Sequence, residues 1–146
     1  MNSQQKRETH KVCSRCNAPL SIPGKRWEFT LHLEPPSQNV VSGNKGGGRF
    51  KYKDFRDFYR LLLKNQIQSL QIPPAKTKRR VLITRLYSGR GRKRDHGNIV
   101  GGCKPLLDAL TLEGLLVDDS EKFVEDHYYQ ERGKDQGVRI VIDEEF

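Results

Sequence analysis

Between Trp27 and Leu62 the apolar residues change from a period of two to a period near 3.6, so a strand and a helix must share one core. Trp27, Phe29, Leu31 and Leu33 alternate with Glu28, Thr30 and His32, the pattern of a half-buried strand. Pro35-Pro36 ends it, and a Gly/Ser/Asn-rich loop runs on to Gly48. Phe55, Phe58, Tyr59 and Leu62 then predict an amphipathic helix from Asp54 to about Leu70, with Asp54 as its cap and Pro73-Pro74 beyond its end. Arg80 to Tyr87 reads as a strand. Ile99, Cys103, Leu106, Leu107 and Leu110 share a helical face within residues 99–116, although Gly101-Gly102 and Pro105 argue against an unbroken helix. Phe123 to Gln130 and Val138 to Ile142 read as two strands joined by a turn from Gly133 to Gly137. The order β-α-β-α-β-β predicts an α+β domain: a mixed sheet with two main helices packed on it.

A chain of 146 residues fits one such domain and can bury enough surface to fold without disulfides or metal. Residues 1–26 read as an N-terminal appendage and residues 27–146 as the folded domain. The polar start MNSQQKRETHK lacks the apolar core of a signal peptide, and no apolar run is long enough to span a bilayer. Cysteine is represented by one close pair, Cys13 and Cys16, and a distant Cys103, which suits a reducing compartment better than a secreted disulfide framework. A cytoplasmic protein with no membrane partner is expected.

The formal charge of +9 is unevenly spread. Lys76, Lys78, Arg79, Arg80, Arg85, Arg90, Arg92, Lys93 and Arg94 form a stretch with no acid in it. From Asp108 to Asp126 the sign reverses, with seven acids against Lys122 alone. The first stretch suits a polyanion such as DNA, because bound cations release condensed counterions. The second would repel a phosphate backbone unless its carboxylates carried a metal; otherwise both are a solvated strand and a solvated loop. The glycines of Gly89-Arg90-Gly91-Arg92-Lys93-Arg94 allow close backbone approach, so this loop is the expected phosphate contact, with Arg79, Arg80 and Arg85 on the strand beside it.

Asp95 follows the basic strand, Asp118-Asp119 follow the next helix, and the two can converge if that helix folds back on the strand. Their oxygens would suit Mg²⁺, with Mn²⁺ as a substitute, since such ions keep several waters and bind through few carboxylates. The ion could polarise a phosphoryl oxygen and activate water, and Lys104 could offset charge on the transition state. Each residue also has a plainer use. Asp95 could pair with the flanking arginines, Lys104 with Asp108 in a surface pair worth about 0.3–0.5 kcal/mol, and Asp118-Asp119 could be a turn or a cap.

At these residues the chain resembles the RusA-like Holliday junction endonucleases of bacteria and their phages, from about Trp27 to Ile142. The likeness runs through Pro35-Pro36-Ser37 with Asn39, the basic strand into Arg94-Asp95, Asn98, Lys104 to Leu110 with its Asp108-Ala109-Leu110 triplet, Gly114 and Asp118-Asp119. The resemblance implies a homodimer that resolves four-way DNA junctions by paired symmetric nicks in recombination and repair. It implies catalytic roles for Asp95, Lys104 and Asp119, and metal ligation by Asp95, Asp118 and Asp119. One departure stands out: Gly97 occupies a position where the family carries a second acid, and a Gly-Gly insertion precedes Lys104. Asp118 or Asp108 could compensate, water could fill the position, or the protein could bind junctions and cut them poorly.

Outside the resemblance, His10, Cys13 and Cys16 read His-x-x-Cys-x-x-Cys, the knuckle spacing of a zinc site, whose fourth ligand would have to come from Cys103, His32 or a partner chain. Cys103 also suits a place in the core. Tyr128, Tyr129 and His127 could stack on opened bases or pack in the sheet. Three functions follow: a Mg²⁺-dependent junction nuclease, a branched-DNA-binding protein weakened by Gly97, and a zinc-bearing basic protein associated with RNA or ribosomes.

Overall fold

A computed structural model of the chain describes residues 12–41 and 48–146. The alternating segment forms strand β1 (Lys25–Leu31), with Phe29 and Leu31 buried. It pairs antiparallel with β4 (Gly137–Glu144), so that Trp27, Phe29 and Leu31 lie opposite Ile142, Ile140 and Val138. β4 also pairs antiparallel with β2 (Arg79–Tyr87), and β2 pairs parallel with β3 (Val124–Arg132). The sheet is therefore mixed, in the order β1-β4-β2-β3. β3 and β4 are consecutive in sequence but are not hydrogen-bonded neighbours, because β2 lies between them. The turn after Arg132 crosses the end of β2, where the Gly133 N–H donates to the Tyr87 carbonyl at 2.9 Å.

A parallel pair needs a crossover, and here two short helices supply it: α3 (His96–Gly102) and α4 (Lys104–Leu112). The remaining helices are α1 (Gln38–Val41) and the long α2 (Gly48–Leu70). α2 begins six residues ahead of the expected Asp54, which is an exposed interior residue and not a cap. Its buried stripe also differs from expectation. Tyr59 and Leu63 are fully covered, with Phe55, Leu62 and Ile67 packed beside them, whereas Phe58 is 53% exposed. The helix ends as sequence punctuation requires: Gln71 takes a left-handed φ of 54°, the Ile72 N–H reaches back to the Ile67 carbonyl at 3.2 Å, and Pro73-Pro74 follow.

The expected break in the 99–116 segment falls at Cys103, where α3 stops and α4 starts with Pro105 in its first turn. Pro105 lacks an N–H, which costs nothing there. The two glycines before the break are required by a close approach. A Cβ on Gly102 would lie 1.9 Å from the Pro36 carbonyl oxygen, and one on Gly101 would meet the Gln38 side chain at 2.6 Å.

One core joins these parts. α2 packs on α4 and β1, and Val81, Ile83, Ile140, Ile142, Val124 and Tyr128 from the sheet meet Tyr59, Leu63, Leu106, Leu110, Leu115 and Leu116. No helix among the described residues is long and apolar enough to cross a membrane.

Candidate functional site

The cations of β2 do not form an outward wall. Arg79, Arg80 and Arg85 are all buried. Arg79 binds Glu144 through Nε at 2.7 Å, donates to the Leu115 and Pro73 carbonyls, and stacks over Trp27. Arg80 donates through Nε to Asp143 at 2.9 Å and to Ser21. Arg85 binds Glu34 at 2.7 Å and donates to the Arg92 carbonyl and the Gln130 side chain. Removing a guanidinium from water is costly unless it is paired and hydrogen-bonded, and all three heads are committed to such partners. The expectation that they contact DNA is corrected on this ground: they hold the sheet together.

Arg90, Arg92 and Lys93 are different. They are exposed on the loop between β2 and α3, and none forms an ion pair with a described carboxylate. The loop itself is anchored. Gly89 takes a left-handed φ of 58°, and Arg132 clasps the Gly89 and Gly91 carbonyls at 2.8 Å each while lying over the Tyr87 ring. Gln130 accepts from the Arg94 N–H and donates to the Arg94 carbonyl. Arg94 sits partly inside, donating to the Pro35 carbonyl; desolvation, with Arg85 nearby, draws its pKa below the usual arginine value.

Asp95 caps α3, accepting the Asn98 N–H at 2.8 Å, while the Asn98 side-chain carbonyl accepts the Gln38 N–H at 2.8 Å. Asp95 is exposed, in a depression of about 420 Å³ lined by Lys93, Arg94, His96, Tyr128 and Gln130, with Ser14 on its rim. Gly97 is also exposed, and a Cβ there would meet only the Asp95 Oδ1, at 3.5 Å.

The other carboxylates gather elsewhere. Asp108, Asp118 and Asp119 line an open depression of about 300 Å³ with Arg56 and Thr111. Asp118 accepts the Asp119 N–H at 2.8 Å, and both acids are exposed. Asp108 accepts a short hydrogen bond from the Tyr52 hydroxyl, and burial together with Asp108 pushes that phenol's pKa well above its ordinary value. Lys104 is exposed at the start of α4; no ion pair with Asp108 forms, since Asp108 is engaged by Tyr52. Asp95 and Asp119 thus line separate depressions, and among the described residues no three His, Cys, Asp or Glu side chains are grouped to hold a metal. The donor set still fits a hydrated Mg²⁺ or Mn²⁺ in kind, since one or two exposed carboxylates are sufficient for an ion that keeps most of its waters.

Tyr52 and Arg56 were not legible as site residues from sequence. They stand four apart on α2, a spacing that would have put them on one face, but the expected helix began after Tyr52. Glu34, the partner of Arg85, also went unread. It lies between the strand and Pro35-Pro36, in a segment that gave no periodic signal.

The Cys pair sits in a tight turn on the outer edge of β3. His10, the third member of the expected zinc triad, lies outside the described residues. Cys13 and Cys16 are free thiols, and backbone N–H groups of Arg15 and Cys16 hold the Cys13 pKa below its ordinary value. Cys103 is buried in the hydrophobic core, its thiol pushed up to about 12 by desolvation. His32 follows β1, the opposite edge of a sheet about 14 Å wide at ~4.8 Å per strand spacing. His127 and Tyr128 are buried, and the Tyr128 and Tyr129 hydroxyls donate to Asp126 and to the Val12 carbonyl, so these side chains pack in the sheet. Comparison of the chain with protein-family models and with curated proteins returned no match.

Proposed function

We infer that the chain is a Mg²⁺-dependent endodeoxyribonuclease acting on four-way DNA junctions, in the manner of the RusA-like enzymes its sequence resembles. The observation that carries this reading is the sorting of charge. The β2 arginines are consumed internally, while Arg90, Arg92 and Lys93 remain exposed on an anchored loop that leads directly into Asp95. An anchored cationic loop loses little entropy on meeting a phosphate backbone, and such contacts position a duplex without reading its sequence. The resemblance assigns the metal to Asp95, Asp118 and Asp119; Asp118 and Asp119 share a depression with Asp108, the substitute ligand, while Asp95 would serve from its own depression, and Lys104 would neutralise charge developing on the phosphorus. A bound ion would polarise the phosphoryl oxygen and generate the attacking hydroxide. Two copies related by a twofold axis would place two such sites against symmetric strands. A bacterial or phage-encoded protein working inside the cell fits this chemistry.

Asp119→Asn tests the reading: junction binding is expected to persist while incision is lost. A variant that cuts at the wild-type rate would overturn the site assignment.

A second reading has its own support. Gly97 contributes no carboxylate, and Asp95 and Asp119 line different depressions. On that reading the protein holds branched DNA and hydrolyses it poorly, and Gly97→Asp raises cleavage. A Cβ at position 97 would meet only the Asp95 Oδ1, at 3.5 Å, an ordinary van der Waals contact.

A further inference from the structure

The turn that carries Cys13 and Cys16 is more ordered than its composition explains. Val12 and Pro19 form an isolated antiparallel bridge, the Cys13 N–H donates to the Ala18 carbonyl at 2.7 Å, and the Asn17 N–H returns to the Cys13 carbonyl at 3.0 Å. Asn17 takes a left-handed φ of 59° to close the loop. The Arg15 N–H donates to the Cys13 sulfur at 3.4 Å, a backbone bond that favours the thiolate. Yet residues 15–19 are all exposed, so the turn buries almost no apolar side chain of its own. A loop that burial does not hold together is a place where a crosslink contributes most.

The turn is also docked. Between the two cysteines, the Ser14 N–H donates to His127 Nδ1 at 3.3 Å, and the Ser14 hydroxyl accepts the Tyr128 N–H at 3.2 Å. Tyr129 donates its hydroxyl to the Val12 carbonyl at 2.5 Å, and Arg15 lies 3.6 Å from Asp126. The Ser14 hydroxyl thereby satisfies a backbone N–H on the outer edge of β3. Ser14 also lines the depression that contains Asp95 and Lys93.

We propose that Cys13 and Cys16 are a two-thiolate half-site for Zn²⁺, and that the bound ion closes this turn, which is docked on the β3 edge beside the Asp95 depression. Two soft thiolates three residues apart on a hydrogen-bonded turn match a d¹⁰ ion in a way the carboxylate depressions do not. On binding, the two thiols release their protons to solvent, two Zn–S bonds form, and waters leave the ion. The inference is independent of nuclease activity, so failure to cut a junction leaves it standing.

The test is a Co²⁺ titration of the reduced, metal-stripped full chain, followed by displacement with Zn²⁺. Expected are a thiolate-to-cobalt charge-transfer band saturating at one ion per chain, its loss on adding Zn²⁺, its loss in Cys13→Ser and Cys16→Ser, and its retention in Cys103→Ser. Amide exchange at Tyr128 should slow when Zn²⁺ is added. No band in the wild-type chain would overturn the proposal without recourse to any variant. A band that survives Cys16→Ser or disappears with Cys103→Ser would also overturn it.

Discussion

Asp143 accepts from two arginines at once, Arg26 at 2.6 Å and Arg80 at 2.9 Å, and is itself fully buried. Neutralising it would leave Arg80 charged inside the protein. Asp143→Asn is expected to cost about 3–5 kcal/mol, the usual penalty for breaking a buried pair from one side, read by urea unfolding. A loss under 1 kcal/mol would show that water reaches the pair. Glycines make the same point through shape. At Gly102 the obstacle to a Cβ is the Pro36 backbone, which cannot rotate away. Gly102→Ala should therefore lose at least about 1–3 kcal/mol, the range for overpacking, while Gly97→Ala should stay within about 0.5 kcal/mol of wild type. Equal stabilities for the two variants, again by urea unfolding, would contradict this packing.

At the scale of elements, α2 is fixed to the end of α4 by Glu113, which binds Arg60 and Lys64 at 2.7 and 2.6 Å. Its burial alone would raise the carboxyl pKa, but the hydrogen bonds from Lys64 and Arg60 outweigh that and hold it below the ordinary value. A carboxyl whose folded pKa is depressed stabilises the fold above its unfolded pKa, and that contribution is lost as pH falls through the folded one. Glu113→Gln should therefore lower the melting temperature more at pH 7 than in acid below the depressed carboxyl pKa. An equal loss at both pH values would assign the effect to packing.

How far elements were legible depended on whether a local signal decided them. The period-two run fixed β1, and Gly101-Gly102 with Pro105 located the break between α3 and α4, because clashes and missing N–H groups act within a few residues. The insertion of β2 between β3 and β4 was not legible. Sequence neighbours with a short turn favour a hairpin, and only the pairing of β2 with both strands displaces it. The start of α2 was missed for a related reason: the Gly-rich stretch before Asp54 has no apolar repeat to announce a helix. The charge run misled in a third way. A row of arginines looks alike whether it faces water or carboxylates distant in sequence, and Glu34, Asp143 and Glu144 decide that only after folding.

For the whole molecule, the division of the cations into internal and external sets has opposite consequences for two groups of variants. Replacing Arg90, Arg92 and Lys93 together by Ala should leave stability intact and weaken binding to any DNA. If all three touch phosphates, the slope of log K against log salt should fall by about 2–3, near 0.9 for each lost contact. Replacing Arg79 or Arg85 should instead destabilise the fold. A salt slope unchanged by the triple variant would remove the loop from the interface. The acidic depression and the Asp95 depression would then need another reason to be on one small basic protein.

The measurement that bears most directly on the central claim is incision of an end-labelled synthetic four-way junction by the purified chain, with Mg²⁺ and again with EDTA. Paired nicks at symmetric positions are expected, and they should disappear in EDTA and in Asp119→Asn. Tight junction binding with no nicks at any Mg²⁺ concentration would contradict that claim.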